Sequence, residues 1–125
     1  MDRAVSNSVL LIAADQNWQR LAIAWLENAG YSVLGACDAS EALQKAGPNL
    51  GLIVLDLNLA GESGLILSTF LKRNYPKVPI LLCTGMDHDD STIRAMLDMG
   101  ADEYLHKGTM EEFLVTIGAC FKKLS

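Results

Sequence analysis

Leu52-Ile53-Val54-Leu55 runs directly into Asp56, Leu57 and Asn58. Four consecutive apolar residues, the middle two β-branched, read as a strand buried on both faces. A carboxylate at the end of such a strand faces a steep desolvation cost unless a cation or hydrogen bonds compensate it. Working outward, Val9-Leu10-Leu11-Ile12-Ala13, Tyr31 to Ala36 and Ile80-Leu81-Leu82-Cys83 read as further strands, and Glu103-Tyr104-Leu105 as a short fifth.

The intervening segments carry helical periodicity. Trp18, Leu21, Ala22, Trp25, Leu26 and Ala29 fall on one stripe, which Gly30 ends. Asp38 and Glu41 have capping-box spacing and open a short helix that Gly47-Pro48 closes. Gly61 and Gly64 mark a loop before a helix carrying Leu67, Phe70 and Leu71. Ile93, Met96 and Leu97 form the stripe of a fourth helix ended by Gly100. Thr109 with Glu112 makes a second capping box, and Phe113, Ile117, Cys120, Phe121 and Leu124 line the last helix. Five strands alternating with five helices predict an α/β fold, a parallel sheet covered on both faces with right-handed crossovers. Sites in such folds lie outside the carboxyl ends of the strands.

The strand ends carry Asp15 after the first strand, Asp56 and Asn58 after the third, Thr84-Gly85 after the fourth and Lys107 after the fifth. Taken singly, Asp15 reads as a helix cap, Thr84 as a turn residue and Lys107 as a solvated surface lysine. Together, two carboxylates, a hydroxyl and an ammonium at one end of a sheet suit phosphoryl transfer to a carboxylate. Two carboxylates and a backbone carbonyl can hold Mg²⁺, and the hydroxyl and ammonium can hold phosphoryl oxygens.

Composition narrows the function classes. The chain has 125 residues, half of them hydrophobic, which fits one domain with a real core. Its formal charge of −5 disfavours direct binding to nucleic acid or an anionic membrane. Three widely spaced cysteines, Cys37, Cys83 and Cys120, argue against a disulfide scaffold and for a reducing compartment. The polar start and the lack of a long apolar run argue against a signal peptide or membrane span, so a cytoplasmic location is expected.

Four segments together resemble the receiver domain of two-component response regulators. They are Leu10 to Asp15, Ile53 to Gly64, Leu81 to Gly85 and Gly100 to Lys107. The resemblance implies a flavodoxin-like, doubly wound (βα)5 three-layer sandwich with strand order 2-1-3-4-5. It implies one domain over residues 1–125 with its core at about 8–123, and no output domain in this chain, either as a stand-alone receiver or as part of a longer regulator or hybrid kinase. Asp56 looks like the acceptor of a phosphoryl group from a sensor histidine kinase or histidine phosphotransfer protein. Asp15, Asp56 and the Asn58 carbonyl look like ligands of Mg²⁺ or Mn²⁺. Thr84 and Lys107 resemble the switch hydroxyl and the phosphoryl-pairing lysine. Tyr104 occupies the aromatic switch position, which in the family remodels the face of the fourth helix, fifth strand and fifth helix towards a downstream target or output domain. Gly85, Met86 and Asn58 resemble positions that tune donor access and phosphoryl lifetime. The only catalysis implied is Mg-dependent self-phosphorylation and autodephosphorylation.

Three departures stand out. Ala14 replaces an acid that in the family contacts the metal through water, which predicts weaker Mg²⁺ binding. Ala60 replaces a common proline and is expected to loosen the loop after Asp56. Gly108 replaces another proline. A trans bond is expected there, leaving Lys107 free to sit out of line. A degenerate receiver that acts by binding alone is therefore the second reading. An aspartyl-phosphate hydrolase is a third, weakened by Asn58 standing where such enzymes need an acid. His88 and His106 read as surface histidines. Asp87, Asp89 and Asp90 suit the start of the fourth helix. Asp98, Asp102 and Glu103 facing Lys122 and Lys123 are compatible with a homodimer through the fourth-helix to fifth-helix face.

Overall fold

The computed structural model describes residues 6–59 and 62–122. In chain order the elements are β1 (Ser8–Ile12), α1 (Gln16–Asn28), β2 (Ser32–Ala36), α2 (Ala39–Lys45), β3 (Leu52–Asp56), α3 (Gly64–Asn74), β4 (Ile80–Thr84), α4 (Asp90–Asp98), β5 (Glu103–His106) and α5 (Met110–Lys122). These five strands form one sheet with all neighbours parallel, in the order β2-β1-β3-β4-β5. This is the doubly wound order expected from the resemblance. Ala60 and Leu124, and Lys123 with them, lie outside the described residues.

Strand burial follows position in the sheet. Every residue of β3 and β4 is buried, whereas edge strand β2 alternates exposed and half-buried before Ala36. Alternate residues of the central strands feed two cores. Leu10, Ile12, Ile53, Leu55, Ile80 and Leu82 pack with Ala42, Leu67, Leu71 and Met96 from α2, α3 and α4. Val9, Leu11, Leu52, Val54, Leu81 and Cys83 pack with Ala22, Leu26, Phe113, Ile117 and Cys120 from α1 and α5. Each fully buried leucine or isoleucine contributes about 1.5–3 kcal/mol.

The helical stripes are narrower than periodicity suggests. Leu21 and Phe70 are about half exposed, and α4 buries only Met96. A helix so lightly anchored belongs to the low-stability end of a fold. Gly30 at φ +98° and Gly100 at φ +128° terminate α1 and α4 in conformations that a Cβ would strain.

Both capping boxes form, one of them altered. Thr109 Oγ1 accepts the Glu112 N–H and Glu112 Oε1 accepts the Thr109 N–H, each at 3.1 Å. Asp38 caps α2 by accepting the Glu41 N–H at 2.8 Å, but Glu41 reaches back past Asp38 to the Cys37 N–H at 2.7 Å. The Cys37 thiol, the Cys37 N–H and the Lys45 ammonium, in that order, lower the Glu41 pKa to about 2. A folded-state pKa below the usual carboxylate value stabilises above that value, and the contribution is lost as pH falls through the folded pKa. Glu41→Gln should therefore lower the urea midpoint at neutral pH, with the gap to wild type closing between about pH 4.5 and 2.

One feature between β3 and α3 was not read from the sequence. Where a plain loop is expected, Asn58–Leu59 pairs antiparallel with Glu62–Ser63. This ribbon brings the start of α3 back beneath Asp56. A Cβ on Gly64 would lie 2.8 Å from the Asp56 carbonyl oxygen and 2.9 Å from Leu57 Cα. Backbone cannot yield as a flexible side chain does, so Gly64→Ala is expected to cost about 2 kcal/mol, checked by urea unfolding.

Candidate functional site

Two of the strand-end side chains from the sequence, Asp56 and Lys107, are in direct contact, and Thr84 ends the neighbouring strand. Asp56 is the last residue of β3 and is 1% exposed. Its Oδ1 accepts the Asn58 N–H at 3.0 Å, a tight local turn that fixes the carboxylate plane. Its Oδ2 accepts a charge-assisted hydrogen bond of 2.6 Å from Lys107 Nζ. The ammonium supplies the compensation that a buried carboxylate requires.

Lys107 follows β5, and its N–H donates to the Thr84 carbonyl at 2.7 Å, which ties the base of the side chain to the end of β4. Among the described residues there is no cis peptide bond, so Gly108 follows Lys107 through the expected trans bond. Lys107 is nonetheless in line with Asp56, a correction to the displacement considered from Gly108. Gly108 also sits close to the first turn of α5. A Cβ there would fall 2.6 Å from Glu112 Oε1, the oxygen that completes the α5 capping box.

Thr84 ends β4 and is 1% exposed. Its Oγ1 accepts the Met86 N–H at 3.1 Å, which leaves the hydroxyl proton available for donation. Gly85 beside it is open: an added Cβ would meet only Lys107 Cδ, at 3.9 Å. The Met86 side chain is exposed. Cys83 pairs with Asp56 across the strands, and burial first, then the Asp56 carboxylate, pushes its thiol pKa up to about 12. It remains a protonated packing group.

Asp15 does what its simplest reading says. It is the N-cap of α1, and its Oδ1 accepts the Asn17 N–H at 3.0 Å and the Trp18 N–H at 3.2 Å. Its second oxygen takes no part in those bonds. Ala14 packs half-buried against the core on the α2–α4 side. Among the described residues no three His, Cys, Asp or Glu side chains converge as a ready metal cluster.

Two contacts had no clear signal in the sequence. Trp18, read there as a core residue, lies under Lys107 with the ammonium 4.3 Å from its ring centroid. Tyr104 on β5 shares a 3.1 Å hydrogen bond between its hydroxyl and Nδ1 of His88 in the β4–α4 loop. Burial first, then Asp87 and Cys83, raises the Tyr104 pKa, so its hydroxyl stays protonated. His106 is the other histidine near this end, and its Nε2 sits 3.2 Å from Asp87. Asp102 is exposed, but its carboxylate is already engaged within the chain. It is held by Lys72 at 2.7 Å and by the Ile80 N–H at 2.8 Å.

The end of the sheet thus carries a buried carboxylate held by an N–H and an ammonium, with a buried hydroxyl at the end of the neighbouring strand. Known proteins share the sequence pattern and the fold. Residues 9–117 match the model of the response regulator receiver domain. The transcriptional regulatory protein CssR of Bacillus subtilis is 25% identical over 111 residues, covering 89% of this chain and 49% of that protein. The chain thus spans about half the length of that relative. A CheY-like receiver domain protein from Methanospirillum hungatei superposes with a TM-score of 0.84 at 23% identity, covering 96% of both chains. A response regulator from Burkholderia pseudomallei, solved with a phosphorylated aspartic acid, calcium ion and citrate, is 30% identical with a TM-score of 0.79, covering 94% of this chain and 69% of that one.

Proposed function

The chain belongs to the response regulator receiver domain family, and from that premise we propose that Asp56 accepts a phosphoryl group from the phosphohistidine of a sensor kinase or phosphotransfer protein. The observation that carries this reading is the Lys107 ammonium 2.6 Å from a carboxylate that is itself almost wholly buried at the end of β3. Asp56 attacks phosphorus with one carboxylate oxygen, and the phosphorus–nitrogen bond to the donor imidazole breaks. Lys107, already in place, follows the new charge onto a phosphoryl oxygen. The Thr84 hydroxyl donates to another, since its own acceptor role is already filled by Met86. Positioning and charge stabilisation are most of what such a transfer needs.

The donor set fits a small oxygen-seeking cation: the free oxygen of Asp15, the Asp56 carboxylate and the Asn58 carbonyl. Mg²⁺ or Mn²⁺ held there would supply positive charge between an anionic acceptor and an anionic donor. Gly85 leaves room for small phosphodonors, and exposed Met86 and Asn58 sit where they tune water access to the acyl phosphate. Movement of Thr84 towards the phosphoryl group would free Tyr104 from His88 and shift α4, whose only buried residue is Met96, with Leu97 packed partly buried beside it. The remodelled α4–β5–α5 face then meets a downstream protein, an output domain or a second copy of the chain. A cytoplasmic location accords with this role, and among the described residues no helix is long and apolar enough to cross a membrane.

Phosphotransfer profiling tests the reading. Wild type should acquire label from a cognate kinase in the presence of Mg²⁺, and a chain carrying Asp56→Asn should acquire none. Asp15 serving as a helix cap favours a second reading, a degenerate receiver that binds partners without phosphorylation. Equal behaviour of wild type and Asp56→Asn towards acetyl phosphate and beryllofluoride would establish that alternative.

A further inference from the structure

The stem of Lys107 crosses from Gly85 to the face of Trp18 before its ammonium reaches Asp56. A lysine side chain has four rotatable bonds and loses about 2 kcal/mol of rotamer freedom when fixed. Gly108, the next residue, restrains the backbone least of all residue types. Something other than the local chain must therefore hold the ammonium. Two groups touch it: the Asp56 carboxylate, which changes character when esterified, and the Trp18 ring, which does not.

Trp18 is itself held at its backbone and at its ring. Its backbone N–H donates to the Asp15 carboxylate in the α1 cap, which fixes where the side chain leaves the helix. Its ring meets Phe113 of α5 edge-on, with centroids 5.9 Å apart at 84°. Phe113 is in turn packed on Trp25 at 5.8 Å and is buried. The ring face, negative by its quadrupole, is thereby presented to Lys107, whose side chain is only 19% exposed.

We propose that Trp18 is a positioning residue of the phosphoacceptor site, a rigid aromatic platform that keeps the Lys107 ammonium over Asp56 while the carboxylate is esterified. This rests on Asp56 being the acceptor. The same contact links the site to both α1 and α5, so a partner that presses on either helix can alter where Lys107 lies.

The test compares Trp18→Leu and Trp18→Phe in two backgrounds, wild type and Lys107→Ala. The rate of Asp56 labelling by acetyl phosphate is measured at saturating Mg²⁺ and over a range of donor concentration. Trp18→Leu should slow the maximal rate about fivefold, the change equivalent to about 1 kcal/mol of cation–π attraction, with little effect on the donor concentration at half-rate. It should add nothing in the Lys107→Ala background, and Trp18→Phe should restore most of the loss. Equal slowing in both backgrounds would reduce Trp18 to general packing and overturn the proposal. An NMR measurement on the free protein needs no phosphodonor. The Lys107 Cε methylene protons, one bond from the ammonium that lies over the ring, should resonate upfield of those of exposed lysines in wild type and Trp18→Phe, and lose that displacement in Trp18→Leu. Undisplaced Lys107 signals in wild type would sink the proposal even if Asp56 labels normally. A chain that never labels Asp56, with Lys107 signals displaced, would instead sink the phosphoacceptor reading and leave the platform standing.

Discussion

Lys107→Ala is expected to lower the unfolding free energy by about 3 kcal/mol, whereas Asp56→Asn is expected to change it by no more than about 1 kcal/mol. The two substitutions remove opposite halves of one ion pair, so their difference isolates the cost of a stranded charge. Asp56 is 1% exposed and cannot turn to water. Without Lys107 its Oδ2 has lost its only cation, and the Asn58 N–H on Oδ1 is left as partial compensation. Lys107 is better placed to survive alone. Its side chain is 19% exposed, its stem is flexible, and the Trp18 face continues to attract it. Asparagine also keeps the shape of the buried group and a carbonyl oxygen for the Asn58 N–H. Urea unfolding of the two variants at neutral pH checks the asymmetry. Equal losses, or a larger loss for Asp56→Asn, would mean that Lys107 does not provide the compensation. The expected result also makes Asp56→Asn a sound control for labelling, because its silence would come from a folded chain.

The parts of this molecule legible in the sequence were those set by short-range rules. Apolar runs located the three central strands, because a sheet covered on both faces leaves no room for polar residues in its centre. The residues immediately after the strands located Asp56, Thr84 and Lys107, because topology alone brings the carboxyl ends of parallel strands together. Legibility fell where a side chain's meaning depends on a distant partner. Trp18 satisfied a helical stripe, and nothing in its spacing showed that its ring meets a lysine on the far side of the chain in sequence. Phe70 and Leu21 satisfied stripes too, yet remain about half exposed because helices on a sheet bury only the side that faces it. His88 was read as a surface residue, and its bond to Tyr104 depends on how the β4–α4 loop folds over β5. Asp15 shows the opposite difficulty. Its capping role was plain from position, while a second role towards a cation depends on groups that sequence neighbours do not fix.

Ala14→Asp is expected to tighten Mg²⁺ binding at least tenfold. A unit charge about 5 Å from a cation, at an effective dielectric near 20, contributes about 3 kcal/mol per unit of cation charge. Part of that is offset, because Ala14 is half-buried against the core and a carboxylate there is partly desolvated and repelled by Asp15 and Asp56. About 1.4 kcal/mol surviving is already tenfold. The same repulsion acts without metal, so the variant should unfold at lower urea than wild type in chelator and regain the difference as Mg²⁺ is added. Asp15→Asn provides the converse. Asparagine caps a helix as well as aspartate, so α1 and the Trp18 N–H contact should persist while one metal-facing charge is lost. Calorimetric titration should then rank Mg²⁺ affinity as Ala14→Asp above wild type above Asp15→Asn. An affinity unmoved by Ala14→Asp would place the cation away from the end of β1.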